Sequence, residues 1–273
     1  MDCLQTRVET RGVQAGHVLS ASRRAPIAAL CGVFLAAAFG TILWWRSMSA
    51  MGEVPMPGGW SMSTIWMPLC GRTWAQTGAA FVGMWTVMMM AMMVPSLAPS
   101  LLRYWEDARR ASTGTAVRLA CCLGVSYFVA WAALGAAAFA ADAPLAAGLL
   151  RSGALARYAP VLSGSVMLVA GFAQFTGWKA RRLACCRMSP RHGITPNMTM
   201  RGASGAGLRL ALDCSCCCAN LMAVTLAAGI MDVRVMAAVT AALNAERLAP
   251  PCWRAREGVG YLVIAAGCCR LIH

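Results

Sequence analysis

Charged residues are scarce in this sequence. Asp, Glu, Lys and Arg together make up 12% of its 273 residues, while 59% of the residues are hydrophobic. Long uncharged runs alternate with short basic stretches, a pattern typical of polytopic helical membrane proteins. Acidic residues are especially few, 10 against 24 basic ones, which gives a net charge of +14. Because most arginines fall between the apolar runs, the positive-inside rule explains this charge, and we expect no nucleic-acid partner.

Histidines and catalytic motifs are also scarce. The three histidines, His17, His192 and His273, lie far apart and outside the apolar runs. Their scatter argues against a histidine-rich zinc site and against a bis-histidine haem. The sequence contains no G-x-S-x-G, no Walker loop and no H-E-x-x-H. It has no ATPase domain, so any transport is passive, gradient-driven or powered by a partner. An enzyme is less expected than a binding protein.

Cysteine, in contrast, is abundant, with 14 residues in adjacent clusters rather than the spaced pairs of a disulfide framework. The densest cluster is CSCCC. At about 100° per residue on a helix, Cys214, Cys217 and Cys218 share one arc. Cys216 points away, and Met222 lies one turn beyond the cluster. Three thiols and a thioether on one helix face suit a soft metal ion. The alternative is that they are apolar packing between helices.

The apolar runs predict an all-α fold, a polytopic transmembrane helical bundle of six or seven spans. Residues 1–26 form a basic cytoplasmic tail, 27–45 the first span, 46–74 an external loop rich in Pro, Gly and Trp, and 75–271 the rest of the bundle. The further spans are expected at about 75–101, 116–141, 159–178, 208–231, 233–248 and 258–271. The last two are shorter than the usual length of about 20 residues. Gly202 to Gly207 is expected to be a flexible approach to the fifth span, and Asp232 to cap the sixth.

The distribution of basic residues predicts the orientation. A cytoplasmic N-terminus places 18 of the 24 Lys and Arg residues inside and six outside, as the positive-inside rule requires. We therefore expect a multi-pass protein of a bacterial inner membrane, surrounded by the lipid bilayer. In this orientation the methionine run, the end of the fourth span, the cysteine cluster and Glu246 all fall in the inner half of the bundle, next to an inner loop with Cys186. The candidate metal ligands are Met88, Met89, Met92, Met93, Gln174, Cys186, Cys214, Cys217, Cys218, Met222 and Glu246.

Several of these candidates have structural alternatives. A methionine stripe at helical spacing is usually core packing, although thioethers also suit copper(I). Gln174 would equally well form an interhelical hydrogen bond, and Glu246 would pair with Arg247 or with the loop arginines. Pro95, which follows the methionines, is expected to kink or end its helix.

Five motifs carry a family resemblance: MMMAMMVPS, QFTGWKARRLACCRMSP, CSCCCANLMAV, GIMD and an ER pair. In this order they resemble the bacterial family of predicted metal-binding integral membrane proteins, domain of unknown function 2182, over about residues 75–265. The resemblance implies functional residues at Met88, Met89, Met92, Met93, Pro95, Ser96, Gln174, Thr176, Lys179, Cys186, Cys214, Cys217, Cys218 and Glu246. The sequence departs from the family pattern at Arg182, where relatives have a cysteine, and at Ala219, where a tryptophan is common.

The favoured hypothesis is a membrane protein that binds or handles copper(I). Cys214, Cys217 and Cys218 are the core ligands, the methionines are relay or supporting ligands, and Cys186 is the first or last ligand on the path of the metal. A membrane or metal-delivery protein is the expected partner. One alternative is an accessory or structural subunit of a membrane complex that holds no metal. Another is a membrane thiol redox protein, which requires a thiol with a lowered pKa.

Overall fold

The computed structural model describes residues 21–50, 53–56, 60–63, 73–192, 199–229, 232–249 and 254–272. Within these ranges the chain forms eight α-helices and two four-residue β-strands. The prediction of an all-α bundle is confirmed, and the small strand pair was not predicted. Residues 1–20 of the predicted tail lie outside the described ranges, whereas its last residues already belong to the first helix.

The helices are α1 Ala21–Ala50, α2 Trp74–Arg109, α3 Thr113–Arg151, α4 Gly153–Ala173, α5 Gly177–His192, α6 Met200–Ala228, α7 Val233–Leu248 and α8 Ala255–Ile272. Strands β1 Glu53–Met56 and β2 Trp60–Ser63 pair antiparallel within the predicted external loop, with Glu53 opposite Ser63. Parts of that loop, residues 51–52, 57–59 and 64–72, lie outside the described ranges.

Five helices are long and apolar enough to cross a membrane: α1, α2, α3, α4 and α6. Large apolar side chains such as Phe39, Val129 and Val169 remain exposed on these helices, as expected for surfaces that face lipid. The chain is therefore a multi-pass membrane protein. Helices α7 and α8, with 16 and 18 residues, are not among the five, so the structure does not establish six or seven spans.

Local capping explains where the helices begin. Thr73 and Gln76 form a reciprocal capping box at the start of α2. Ser112 and Thr199 accept hydrogen bonds from the first turns of α3 and α6. Asp232 caps α7 by accepting from the backbone N–H of Arg234, which confirms the prediction for this residue. Each such cap stabilises its helix by about 1 kcal/mol.

The predicted fourth span, 159–178, extends too far. Helix α4 ends at Ala173, and residues 174–176 turn before α5 begins. The hydroxyl of Thr176 donates to the Ala173 carbonyl and accepts from the backbone N–H of Lys179, so it ends one helix and begins the next. The turn redirects the chain, and much of the segment predicted as an inner loop is the helix α5.

The prediction of a flexible stretch from Gly202 to Gly207 is wrong, because both residues lie inside α6. The reason is the close packing of α6 against α3. A Cβ atom at Gly207 would collide with the carbonyl oxygen of Leu123 and the hydroxyl of Ser126 on α3. Small residues at such positions let membrane helices approach closely. At this position the glycine permits close helix packing and does not mark a flexible segment.

Helix α6 occupies the centre of the bundle, where it packs against α3, α4, α5 and α7. Helix α2 packs between α1 and α3, and its methionine face is buried as predicted. Trp85 on this face donates a hydrogen bond of 3.0 Å to the carbonyl of Trp131. Helix α2 does not end at Pro95 but continues to Arg109. The arrangement directs the sulfur-rich faces of α2 and α6 into one core.

Candidate metal centre

The cysteine-rich turn of α6 faces the interior of the bundle. Cys214, Cys217 and Cys218 are buried, whereas Cys216 is partly exposed. This is the division that helix periodicity predicts for the four residues. Met93, on the buried face of α2, has no exposed surface. Both helices therefore present sulfur atoms to an interior from which water is excluded.

Three sulfur atoms converge at this point. The Sγ of Cys214 lies 3.7 Å from the Sδ of Met93 and 3.9 Å from the Sγ of Cys218. Sulfur atoms that share one metal ion, at metal–sulfur distances of about 2.3 Å, lie about 3.8 to 4.0 Å apart. The two separations therefore match those of sulfur ligands around a single soft ion. We call Cys214, Cys218 and Met93 the sulfur triad.

The triad combines two thiols with a thioether. Within the described parts of the chain, no three Cys, His, Asp or Glu side chains converge as a metal-binding group. The third sulfur at this position is the thioether of Met93. A neutral thioether binds copper(I) well and hard ions such as magnesium and calcium poorly. The donor set suits a soft ion of low coordination number.

Tyr127 on α3 contacts the triad and was not predicted. Its hydroxyl donates a hydrogen bond of 3.0 Å to the Sγ of Cys214, and the side chain is 1% exposed. A donor at this distance stabilises negative charge on the sulfur. The sequence signal was a tyrosine inside an apolar run, because a buried tyrosine hydroxyl requires a polar partner.

Cys186 and Cys217 form a second pair of neighbouring thiols, which we call the thiol pair. Cys186 lies on α5 and is partly exposed, and its Sγ also donates to the carbonyl of Asp213 at 3.1 Å. Hydrogen bonding with Cys217, followed by burial, raises the pKa of the Cys186 thiol above its usual range.

A small pocket reaches the triad beside the thiol pair. Cys186, Cys214, Tyr127 and Arg247 line this pocket together with two serines of α2. The Nε of Arg247 is buried without a hydrogen-bond partner. The positive charge of its guanidinium acts on all three buried thiols of α6. The guanidinium of Arg247 and the thiols of Cys186 and Cys214 therefore line the same pocket.

Lys179, the one lysine of the sequence, is the centre of a buried polar cluster. Its Nζ lies 2.9 Å from the carboxylate of Glu246 and donates to the carbonyl of Cys217 at 2.7 Å and the amide oxygen of Asn220 at 3.1 Å. Three bonds satisfy all three ammonium protons. The cluster ties α5 and α7 to the cysteine turn of α6.

The polar cluster also contains Gln174 and Glu246, for which the sequence left alternatives open. The Nε2 of Gln174 donates to Glu246 at 2.7 Å, so the expected interhelical hydrogen bond is present. Glu246 pairs with Lys179 at 2.9 Å. The sequence did not indicate this partner, because 67 positions separate the two residues in the chain. Both side chains are engaged with polar groups rather than with the sulfur atoms.

The other predicted methionine ligands are buried in the same core. Met88, Met89 and Met92 line the α2 core, and Met222 lies one turn beyond Cys218 on α6. Within the described residues, Met93 is the methionine whose sulfur contacts a thiol. Sequence periodicity could not separate Met93 from its neighbours, since all of them occupy the same helix face.

Comparison with known proteins identifies one family. A family model described as PpoB2, copper chaperone, matches residues 82–269, which is well over half of the chain. This range contains every predicted ligand. It agrees with the metal-related character that the sequence resemblance implied, under a different family name. No curated protein and no solved structure matches the chain.

Proposed function

Because the chain belongs to the PpoB2 copper chaperone family, we propose that it binds copper(I) within the membrane and transfers it to a partner. The sulfur triad is the binding site, and the observation that carries the proposal is the pair of distances, 3.7 and 3.9 Å, from Cys214 to Met93 and Cys218. A metal-delivery or metal-accepting protein is the partner that this activity requires.

The chemistry of the triad favours copper(I). The two thiols lose their protons on binding, as metal-bound cysteines do. The hydrogen bond from Tyr127 supports the negative charge on Cys214. Met93 adds a third soft donor without further charge, so the ion stays weakly enough bound to be released. Burial of the site keeps water and oxidants away from copper(I).

The thiol pair provides a route to the triad. Cys186 is partly exposed, and Cys217 stands one helical turn from Cys214 on α6. In the transfer that we propose, copper(I) first binds the thiolates of Cys186 and Cys217. A bond to Cys214 or Cys218 then forms before a bond to Cys186 breaks. Copper stays in the +1 state, and each released thiolate takes up the proton that the new ligand gives up.

Further sulfur atoms on α2 and α6 extend this route. Met88, Met89, Met92 and Met222 are supporting ligands beyond the triad, consistent with their burial in the same core. Gln174 and Glu246 act instead through Lys179, by holding the cysteine turn of α6 in register with α5 and α7. A bound metal therefore meets sulfur at each position along the route.

We also propose the finer topology. The N-terminus is cytoplasmic in a bacterial inner membrane, as the distribution of arginines requires. Helices α7 and α8 add a sixth and a seventh membrane segment, supported by the packing of α7 against α6 and of α8 against α4. The thiol pair then lies on the cytoplasmic side, where thiols stay reduced.

Copper analysis of the purified full chain tests the proposed site. The protein is expressed with added copper, purified in detergent under reducing conditions, and compared with the variant C214S/C218S. We expect about one copper per chain, lost in this variant. The matched control is C216S, because Cys216 is partly exposed and lies on the same helical turn.

Copper content that is equal in the wild type and in C214S/C218S would refute the triad as the site. A folded wild type that lacks copper and co-purifies stoichiometrically with another membrane protein would support the accessory-subunit alternative instead. Loss of copper in C216S to the same degree would show that the double variant acts through the general loss of thiols.

A further inference from the structure

The guanidinium of Arg247 shares a pocket with Cys214 of the sulfur triad, and its Nε is buried although the residue as a whole is partly exposed. It acts electrostatically on Cys214 and Cys218, and it lines the pocket that contains Cys214. Among the described residues it forms no ion pair with a carboxylate, and its Nε has no hydrogen-bond partner. A buried guanidinium nitrogen without a partner is costly unless the charge is balanced by another group.

We propose that Arg247 is the fixed countercharge of the metal site and that it selects monovalent over divalent soft ions. The inference rests on the proposed function, since it concerns the same triad. It assigns to Arg247 a role in specificity and not that of a ligand, because a guanidinium has no lone pair to offer a metal.

The total charge of the occupied site carries the argument. Two thiolates bring a charge of −2, Met93 brings none, and Arg247 brings +1. Copper(I) or silver(I) therefore completes a neutral group, whereas zinc(II) or cadmium(II) leaves a net charge of +1. A net charge held in a low-dielectric interior is strongly disfavoured. Thiolates alone bind both kinds of ion, so the arginine makes the difference.

The neighbouring charged groups do not cancel Arg247. Lys179 acts on Cys217, but its charge is balanced by Glu246 at 2.9 Å. Asp213 lines the same pocket, but no ion pair joins it to Arg247 in the described part of the chain. Arg247 is thus the remaining cation, and together with one monovalent metal ion it balances the charge of the two thiolates.

The test compares the affinities of the full chain for silver(I) and cadmium(II). Both ions are measured in detergent by competition with chromophoric chelators, for the wild type and for R247M, R247K and R209M. We expect the preference for silver(I) over cadmium(II) to fall in R247M by about tenfold or more, as removal of a nearby unit charge implies at an effective dielectric constant of about 20.

The control variants should keep the wild-type preference. R247K retains the charge, and R209M removes an exposed arginine from α6, the helix that carries the cysteines. A preference in R247M within about threefold of the wild type would overturn the proposal. So would an equal loss in R209M, since the effect would then come from net charge.

A measurement on the wild type keeps the proposal open to refutation should R247M fail to fold. The preference for silver(I) over cadmium(II) is compared with that of dithiothreitol, which offers two thiolates and no cation. We expect it to be greater in the protein by about tenfold or more, and a value within about threefold overturns the proposal. Failure of the proposed function has a different signature: silver(I) binding that C214S/C218S leaves unchanged.

Discussion

Removal of the lysine charge in K179M tests whether the buried polar cluster holds the cysteine turn in place. The side chains of Lys179 and Glu246 are each 1% exposed, and their charged atoms lie 2.9 Å apart. The substitution removes this ion pair together with the hydrogen bonds to the Cys217 carbonyl and to Asn220. It also removes the cation that lies 2.9 Å from the buried carboxylate of Glu246.

The expected loss of stability is large. Removing one partner of a buried ion pair costs about 3 to 5 kcal/mol, because the remaining charge is left uncompensated. For a chain of this size that loss lowers Tm by about 6 to 20 °C. The double variant K179M/E246Q removes both charges and keeps an amide opposite Gln174, so we expect it to recover more than half of the loss.

Thermal unfolding of the detergent-solubilised variants, followed by tryptophan fluorescence, measures these shifts. The control is R110M, which breaks the exposed pair of Arg110 and Asp107 at 3.8 Å and should cost about 0 to 1 kcal/mol. The reasoning is refuted by a K179M protein whose Tm equals that of R110M. It is also refuted by a double variant that is less stable than K179M.

Two further predictions concern individual contacts. M93L keeps the volume of the core but removes a sulfur that lies 3.7 Å from Cys214. We therefore expect the copper(I) affinity, measured by chelator competition, to fall by about tenfold in M93L and to stay unchanged in the control M90L. Equal affinities in both variants would exclude Met93 as a ligand. G207A places a methyl group against the Leu123 carbonyl and should lower the free energy of unfolding by about 1 to 3 kcal/mol. In the control G205A no atom lies within 4 Å of the added Cβ, so the free energy of unfolding should rise by about 0.5 to 1 kcal/mol. A G207A protein as stable as G205A would contradict the packing argument.

The elements that follow from local patterns could be predicted closely. Helix α7, Val233–Leu248, coincides with the predicted sixth span, 233–248, and Asp232 caps it as expected. The burial of the α2 methionine face also follows from helical periodicity. Such features depend on interactions within about four residues, and the sequence contains all the information that they require.

The elements that depend on distant partners could not be predicted in this way. Gly202 and Gly207 indicated a flexible segment, because glycine disfavours isolated helices. The close approach of α3 reverses this preference at Gly207. The fourth span likewise breaks at residues 174–176, where the chain leaves the apolar α4 and enters the basic helix α5.

The sequence by itself determined that this is a multi-pass helical membrane protein with three cysteines on one face of a central helix. Helical rotation alone establishes that face. Only the tertiary structure decided that Cys214 meets Met93, that Cys217 meets Cys186, and that Arg247 lies beside Cys214. Those contacts join residues more than 25 positions apart in the chain. Their geometry depends on how α2, α5, α6 and α7 rotate against each other, and packing decides that rotation.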